Sequence, residues 1–111
     1  MPSRQPAMFP ATARLLNDLG DRLRHARLRR NLAAATVAAR AGIARATLAR
    51  AEHGEPAVAL GTYVRILRVL GLDSDLSLVA RDDELGRRLQ DLELPERRRA
   101  PKRTSGAPEQ S

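Results

Sequence analysis

Along this chain, hydrophobic positions recur three and four residues apart in separate stretches, each closed by asparagine, glycine or proline. That is the pattern of short amphipathic helices, and no strand is strongly signalled. Leu15, Leu19, Leu23 and Ala26 make the first stripe, predicting a helix capped by Thr12, with Asp18 and Asp21 early in it. Arg22, Arg24, Arg29 and Arg30 occupy its other face and last turns, where cations suit the helix dipole. Asn31, tolerant of a left-handed backbone, ends it. AAATVAARA predicts a second, alanine-rich helix with Val37, Ala38 and Ala41 inward and Gly42 as its stop. A third helix runs from Arg45 to about Glu52 with Leu48 and Ala51 inward, and His53-Gly54 closes it. After an extended Glu55–Val58 link, a fourth covers Leu60–Leu70 on the stripe Leu60, Tyr63, Leu67 and Leu70, ending at Gly71. A short helix at Ser74–Ala80 and a last one at Asp83–Leu92, striped by Leu85, Leu89 and Leu92, complete an all-α reading. The expected organisation is a flexible arm at 1–11, a helical domain at 12–81, a C-terminal helix at 82–93 and a disordered basic tail at 94–111.

Composition narrows what such a bundle can do. With hydrophobic residues at 42% and only Phe9 and Tyr63 aromatic, the core has to be aliphatic. Cysteine is absent, which removes disulfides, thiolate metal sites and cysteine nucleophiles. His25 and His53 have no carboxylate at ligand spacing, and Ser74 and Ser77 have no base partner. No phosphate-binding glycine loop appears, so the expectation is a non-enzyme without cofactor, metal or small-molecule substrate. Lacking an apolar run long enough for a membrane span and a signal-peptide core, the chain reads as cytoplasmic, with no membrane partner.

Charge is the more informative property. The net charge of +7 is unevenly spread. Arg14 to Arg50 holds nine arginines against Asp18 and Asp21, whereas Ala51 to Glu93 holds five against nine acids. A preference for arginine over lysine can come from codon usage; a near-absence of acids between 14 and 50 does not follow from it. A basic face for a polyanion and an acidic region for protein are the expectation.

The basic half contains VAARAGIARATLARAEHG, from Val37 to Gly54. Two short helices joined by Ala41-Gly42-Ile43-Ala44 match the helix-turn-helix plan. Ala38 is small where the helices cross, Gly42 supplies the turn conformation, and Ile43 and Leu48 fill the angle between the helices. The outward face of the third helix, Arg45, Ala46, Thr47, Ala49 and Arg50, is left free to enter a major groove. Arg45 and Arg50 are candidate guanine or phosphate contacts. Thr47 is a candidate for a thymine methyl or a phosphate. Arg29, Arg30 and Arg40 are candidate phosphate contacts, as are the backbone amides at Gly61 and Thr62 where the fourth helix starts.

Residues 19–72, through LGDRLRHARLRRNL, VAARAGIARATLARAEHG and LGTYVRILRVLGL, resemble the Xre/Cro-type helix-turn-helix domain of bacterial and phage regulators. The resemblance implies a five-helix domain, here extended by a C-terminal helix, that binds double-stranded DNA as a homodimer. It also implies an ion pair between Arg27 and Glu52 tying the first helix to the third. The chain departs from the family at Ala33 and Ala34, where Ser or Thr and then Gln are usual, and at Ala44 and Ala49, where Ser is common. The segment DDELGRRLQDLELPERRR, Asp82 to Arg99, is similar to tails on antitoxin-like regulators found beside Hip-type kinase toxins. This second likeness implies a toxin partner; the alanines at 33, 34, 44 and 49 favour the alternative of a protein-interaction module whose DNA binding is weakened.

Overall fold

The computed structural model describes residues 7–97, with side chains through residue 93. Five α-helices and one 3₁₀ helix follow in order: α1 Pro10–Arg29, α2 Ala34–Ala41, α3 Arg45–Glu52, α4 Leu60–Leu70, the 3₁₀ helix Asp73–Leu78, and α5 Glu84–Arg97. There is no strand among the described residues. The chain divides into two units at Ser77/Leu78, four residues ahead of the expected boundary.

The first unit is built on one aliphatic core: Leu23 and Ala26 from α1, Val37 and Ala38 from α2, Leu48 and Ala51 from α3, Val58 from the link, and Tyr63, Ile66, Leu67 and Leu70 from α4. Leu19, Leu32, Ile43, Leu72 and Leu76 pack around it. Burial of this kind, at roughly 1.5–3 kcal/mol per large aliphatic side chain, holds together helices too short to persist alone. Two members of this unit's predicted stripes are left in solvent. Leu15 and Leu60 are exposed, and Ile66, at 1% exposure, occupies the centre in place of Leu60.

The first helix starts earlier than Thr12. Pro10 stands in its first turn, where the missing amide N–H costs nothing, and Phe9 is the N-cap residue. Thr12 therefore caps nothing, and neither Asp18 nor Asp21 falls in the first turn. Residues 10 and 11 of the expected arm therefore belong to α1, and residues 1–6 of it lie outside the described residues. Gly20 is buried on the face of α1 that meets α3. A methyl at Gly20 would lie 2.5 Å from the Glu52 carbonyl oxygen and 2.7 Å from the Gly54 amide nitrogen. Gly54 in turn presses against the backbone of Leu16 and Asn17 and has φ +71. Two glycines thus bring two backbones into contact.

In the second unit, α5 is capped by Asp83, whose Oδ1 accepts from the Gly86 amide at 3.1 Å. The helix extends to Arg97, past the predicted end at Leu92, so the expected tail from 94 begins as helix. Residues 98–111, the rest of that tail, lie outside the described residues. Leu85, Leu89 and Leu92 are all exposed, at 64%, 52% and 80%. The predicted short helix at Ser74–Ala80 is a 3₁₀ turn that stops at Leu78, because Ala80 takes φ 60, which no right-handed helix can continue.

Candidate nucleic-acid interface

The turn between α2 and α3 follows from Gly42. Its φ of 71 and ψ of 35 lie in the left-handed region that glycine enters without steric cost. The Ile43 amide donates back to the Ala38 carbonyl at 3.0 Å, closing the end of α2. Arg65 of α4 adds a long bond, Nη1 to the Ala41 carbonyl at 3.5 Å, on the same helix end. Ala38 and Leu48 are buried at 2% and 1%, and Ile43 is half-buried. A larger residue at Ala38 would have no room between α2 and the core.

With Leu48, Ala51 and Glu52 turned inward, the 3.6-residue period places Ala46 and Arg50 on the opposite side of α3. Arg45, Ala46, Ala49 and Arg50 are exposed, and Thr47 is half-buried. Arg50 donates from Nη2 to Thr47 Oγ1 at 3.4 Å, which brings those two candidates together on one surface. Ala49 lies towards α1 instead, lining a cleft with Asn17, Asp21, Arg24, Glu52 and His53.

The inner face is held by ionic as well as apolar contacts. Arg27 Nε donates to Glu52 Oε2 at 2.8 Å and Nη2 donates to Oε1 at 3.1 Å, the two-pronged geometry that suits guanidinium and carboxylate. Arg27 Nη1 donates to the Leu32 carbonyl at 3.1 Å, so one side chain ties α1, the α1–α2 turn and α3. Only 12% of the Arg27 side chain and 9% of Glu52 are exposed. The hydrogen bond to Glu52 raises the Arg27 pKa above its ordinary value against the pull of burial, keeping the guanidinium charged.

The remaining candidates are distributed around this helix pair. Arg40 is exposed in the last turn of α2. Gly61 is exposed and Thr62 half-buried in the first turn of α4, after an N-cap at Ala59 that offers no side-chain bond. Arg30 is folded back, donating from Nη1 to the Ala26 carbonyl at 2.9 Å at the end of α1. Arg29 lines a groove of about 240 Å³ with Arg22, His25, Leu67, Leu72 and Asp75, to which no residue of α3 contributes. Ala33 and Ala44 stand as N-caps of α2 and α3 in extended geometry, without a side-chain cap on either helix.

Two features escaped the sequence reading. Glu55 sits at the rim of α3 with Oε1 3.9 Å from Arg50 Nε. Asn17 Nδ2 donates to the His53 carbonyl at 2.9 Å, adding to the α1–α3 tie. An acid at the first position after His53-Gly54 was a visible signal for the former; the latter depends on the glycine contact and had none.

Among the described residues no cluster of His, Asp or Glu could hold a metal ion, and no helix is long and apolar enough to cross a membrane. No curated protein matches the chain. The helix-turn-helix domain family matches residues 18–78, more than half of the sequence and the span from mid-α1 through the 3₁₀ helix. Membership rests on that match, and the structure agrees with it in the glycine turn and the outward face of α3: the chain belongs to the helix-turn-helix domain family, with DNA as the partner that this membership supports.

Proposed function

We propose that the protein is a sequence-specific DNA-binding transcriptional regulator of Xre/Cro type, an autoregulating antitoxin-like repressor that works as a cytoplasmic homodimer. The observation carrying this reading is the division of α3 into a clamped inner face and an exposed outer one bearing Arg45, Ala46, Thr47 and Arg50. Arginines there suit bidentate donation to guanine O6 and N7, and Thr47 suits a thymine methyl. Arg40, Arg29 and Arg30, with the amides at Gly61 and Thr62, are assigned to phosphates, and Ala49 to the edge of the interface. Two copies would set two such helices about one turn, ~34 Å, apart on a palindromic operator.

The test is retardation of duplex DNA from the protein's own upstream region, repeated across salt concentrations. The expected result is affinity that falls steeply with salt, as counterions are released from neutralised phosphates, and loss of retardation in an Arg45→Ala, Arg50→Ala double variant. Unchanged retardation by that variant removes α3 as the reading element.

The acidic second half and the exposed leucines of α5 favour a second reading. In it the chain is chiefly a toxin-neutralising module for a Hip-type kinase, its DNA binding weakened by alanine at positions 33, 34, 44 and 49. Co-purification with such a partner, together with flat binding curves on every duplex, selects this reading over the first.

A further inference from the structure

Glu55 is a conspicuous neighbour for a surface meant to meet a polyanion. Its backbone is pinned from three directions: its amide donates to the Arg50 carbonyl at 3.1 Å, and its own carbonyl accepts from the Val58 amide at 3.2 Å and from Tyr63 Oη at 3.0 Å. Pro56 further confines Glu55 to extended conformations. The fold therefore sets the Glu55 backbone at the edge of α3, with Oε1 3.9 Å from Arg50 Nε, while Thr47 Oγ1 takes a 3.4 Å bond from Nη2. Both charged side chains stay about half exposed, at 50% and 47%. A pair this open adds little to stability, so its consequence lies in what Arg50 is free to contact.

Building on the DNA-binding reading above, we propose that Glu55 is a specificity-determining residue that restrains Arg50 from phosphates and leaves it available to a base edge. The chemistry is asymmetric. A phosphate that draws Arg50 must approach a carboxylate of its own sign, whereas guanine O6 and N7 are uncharged acceptors that bring no such repulsion. Phosphates are present at every step of any duplex, so the restraint falls on sequence-independent binding. Thr47 Oγ1 accepts from the same guanidinium on the outer face of α3, an exposed 3.4 Å bond that a base edge can replace.

The experiment uses the full chain and two probes: a duplex enriched from a random library by the parent protein, and a scrambled duplex of equal length and composition. Glu55→Gln should bind the scrambled duplex about fivefold more tightly, the scale of one unit-charge interaction near contact in water, and shift the enriched duplex by less than about twofold. Its log affinity on the scrambled duplex should also fall with log salt about one unit more steeply, the mark of one added phosphate contact. Glu55→Asp, which keeps the charge, should discriminate like the parent, and the effect of Glu55→Gln should vanish in an Arg50→Ala background. Equal melting temperatures across the set establish that folding is unaltered. A parent that discriminates while Glu55→Gln leaves the ratio unchanged, or a Gln effect that persists without Arg50, overturns the role of Glu55 alone. A parent that enriches no duplex overturns the DNA-binding reading and this inference with it.

Discussion

The two faces of α3 each carry an arginine–glutamate pair, and the pairs have little in common beyond their chemistry. Arg27 and Glu52 meet at 2.8 Å with both side chains almost wholly covered, whereas Arg50 and Glu55 stand 3.9 Å apart and half in water. On the inner face, two charges removed from solvent depend on each other, since either one left alone would be an unpaired buried ion. On the outer face, solvent screens both partners, and separating them costs almost nothing. The same residue types thus clamp the helix on one side and leave a guanidinium ready to change partners on the other.

The sharpest way to break this comparison is to truncate the acid of the inner pair and, separately, the arginines of the outer face. Glu52→Ala should destabilise the protein by about 3–5 kcal/mol, because it leaves Arg27 largely buried with only the Leu32 carbonyl as partner. Arg50→Ala and Arg45→Ala should each stay within about 0.5 kcal/mol of the parent. Chemical denaturation followed by circular dichroism measures all three. A Glu52→Ala variant as stable as the parent would mean that the inner pair is no clamp.

The next effect concerns the backbone contact that sets the inner face at its distance. Gly20→Ala would drive a methyl against the Glu52 and Ala51 carbonyls, at 2.5 and 2.8 Å, with no flexible side chain able to yield. A loss of about 1–3 kcal/mol is expected, the usual range for overpacking, and the same denaturation series reads it. Gly86→Ala serves as a contrast in α5, where the crowding atoms belong to the Asp83 side chain, which can rotate away with the loss of its cap bond, about 1 kcal/mol.

These contacts also mark where sequence reasoning stopped. The bounds of α3 and α4, the left-handed Gly42 and Gly71, and the left-handed Asn31 at φ 54 were legible because each depends on residues within a turn of one another. The inward set Val37, Ala38, Leu48 and Ala51 followed from the 3.6-residue period. Leu15 and Leu60 fit the same period yet remain exposed, because periodicity gives the side of a helix and not how far along it a neighbour extends. The close approach of Gly20 to Gly54 joins residues far apart in the chain, and a glycine inside a stripe was its only trace. In the candidate interface, Arg50 and Thr47 were identified one by one, whereas Glu55 entered only through the turn that carries it back to α3. The start of α1 at Pro10 was available from the preference of proline for a first helical turn, a rule that outweighs Thr12 as a cap.

A smaller and opposite effect sharpens the contrast at the start of α3. Ala44 already has the extended φ of −73 and ψ of 150 that an N-cap adopts, but offers no oxygen to the amides of the first turn. Ala44→Ser should therefore raise stability by about 1 kcal/mol, visible as a higher denaturation midpoint. A gain here would show that α3 is clamped through its inner face while its outer, N-terminal end is left under-bonded.

An effect of similar size tests the anchor of the outer pair. Tyr63 Oη donates to the Glu55 carbonyl, and burial, with the Glu55 charge second, lifts the phenol pKa above its ordinary value of 10.0. Below that value both folded and unfolded chains hold the proton, and the contribution is constant. As pH rises past 10.0 the unfolded chain releases its proton first, so stability falls until the folded phenol also ionises. As the sole tyrosine in a chain without tryptophan, Tyr63 reports its own ionisation by absorbance. The alkaline decline should be missing in Tyr63→Phe, which at neutral pH should lose about 1 kcal/mol for the missing hydrogen bond. If Tyr63→Phe instead kept the decline, the phenol would not be the group responsible; if it lost no stability at neutral pH, the anchoring of the Glu55 backbone would rest on Pro56 and the Val58 and Arg50 backbone bonds alone.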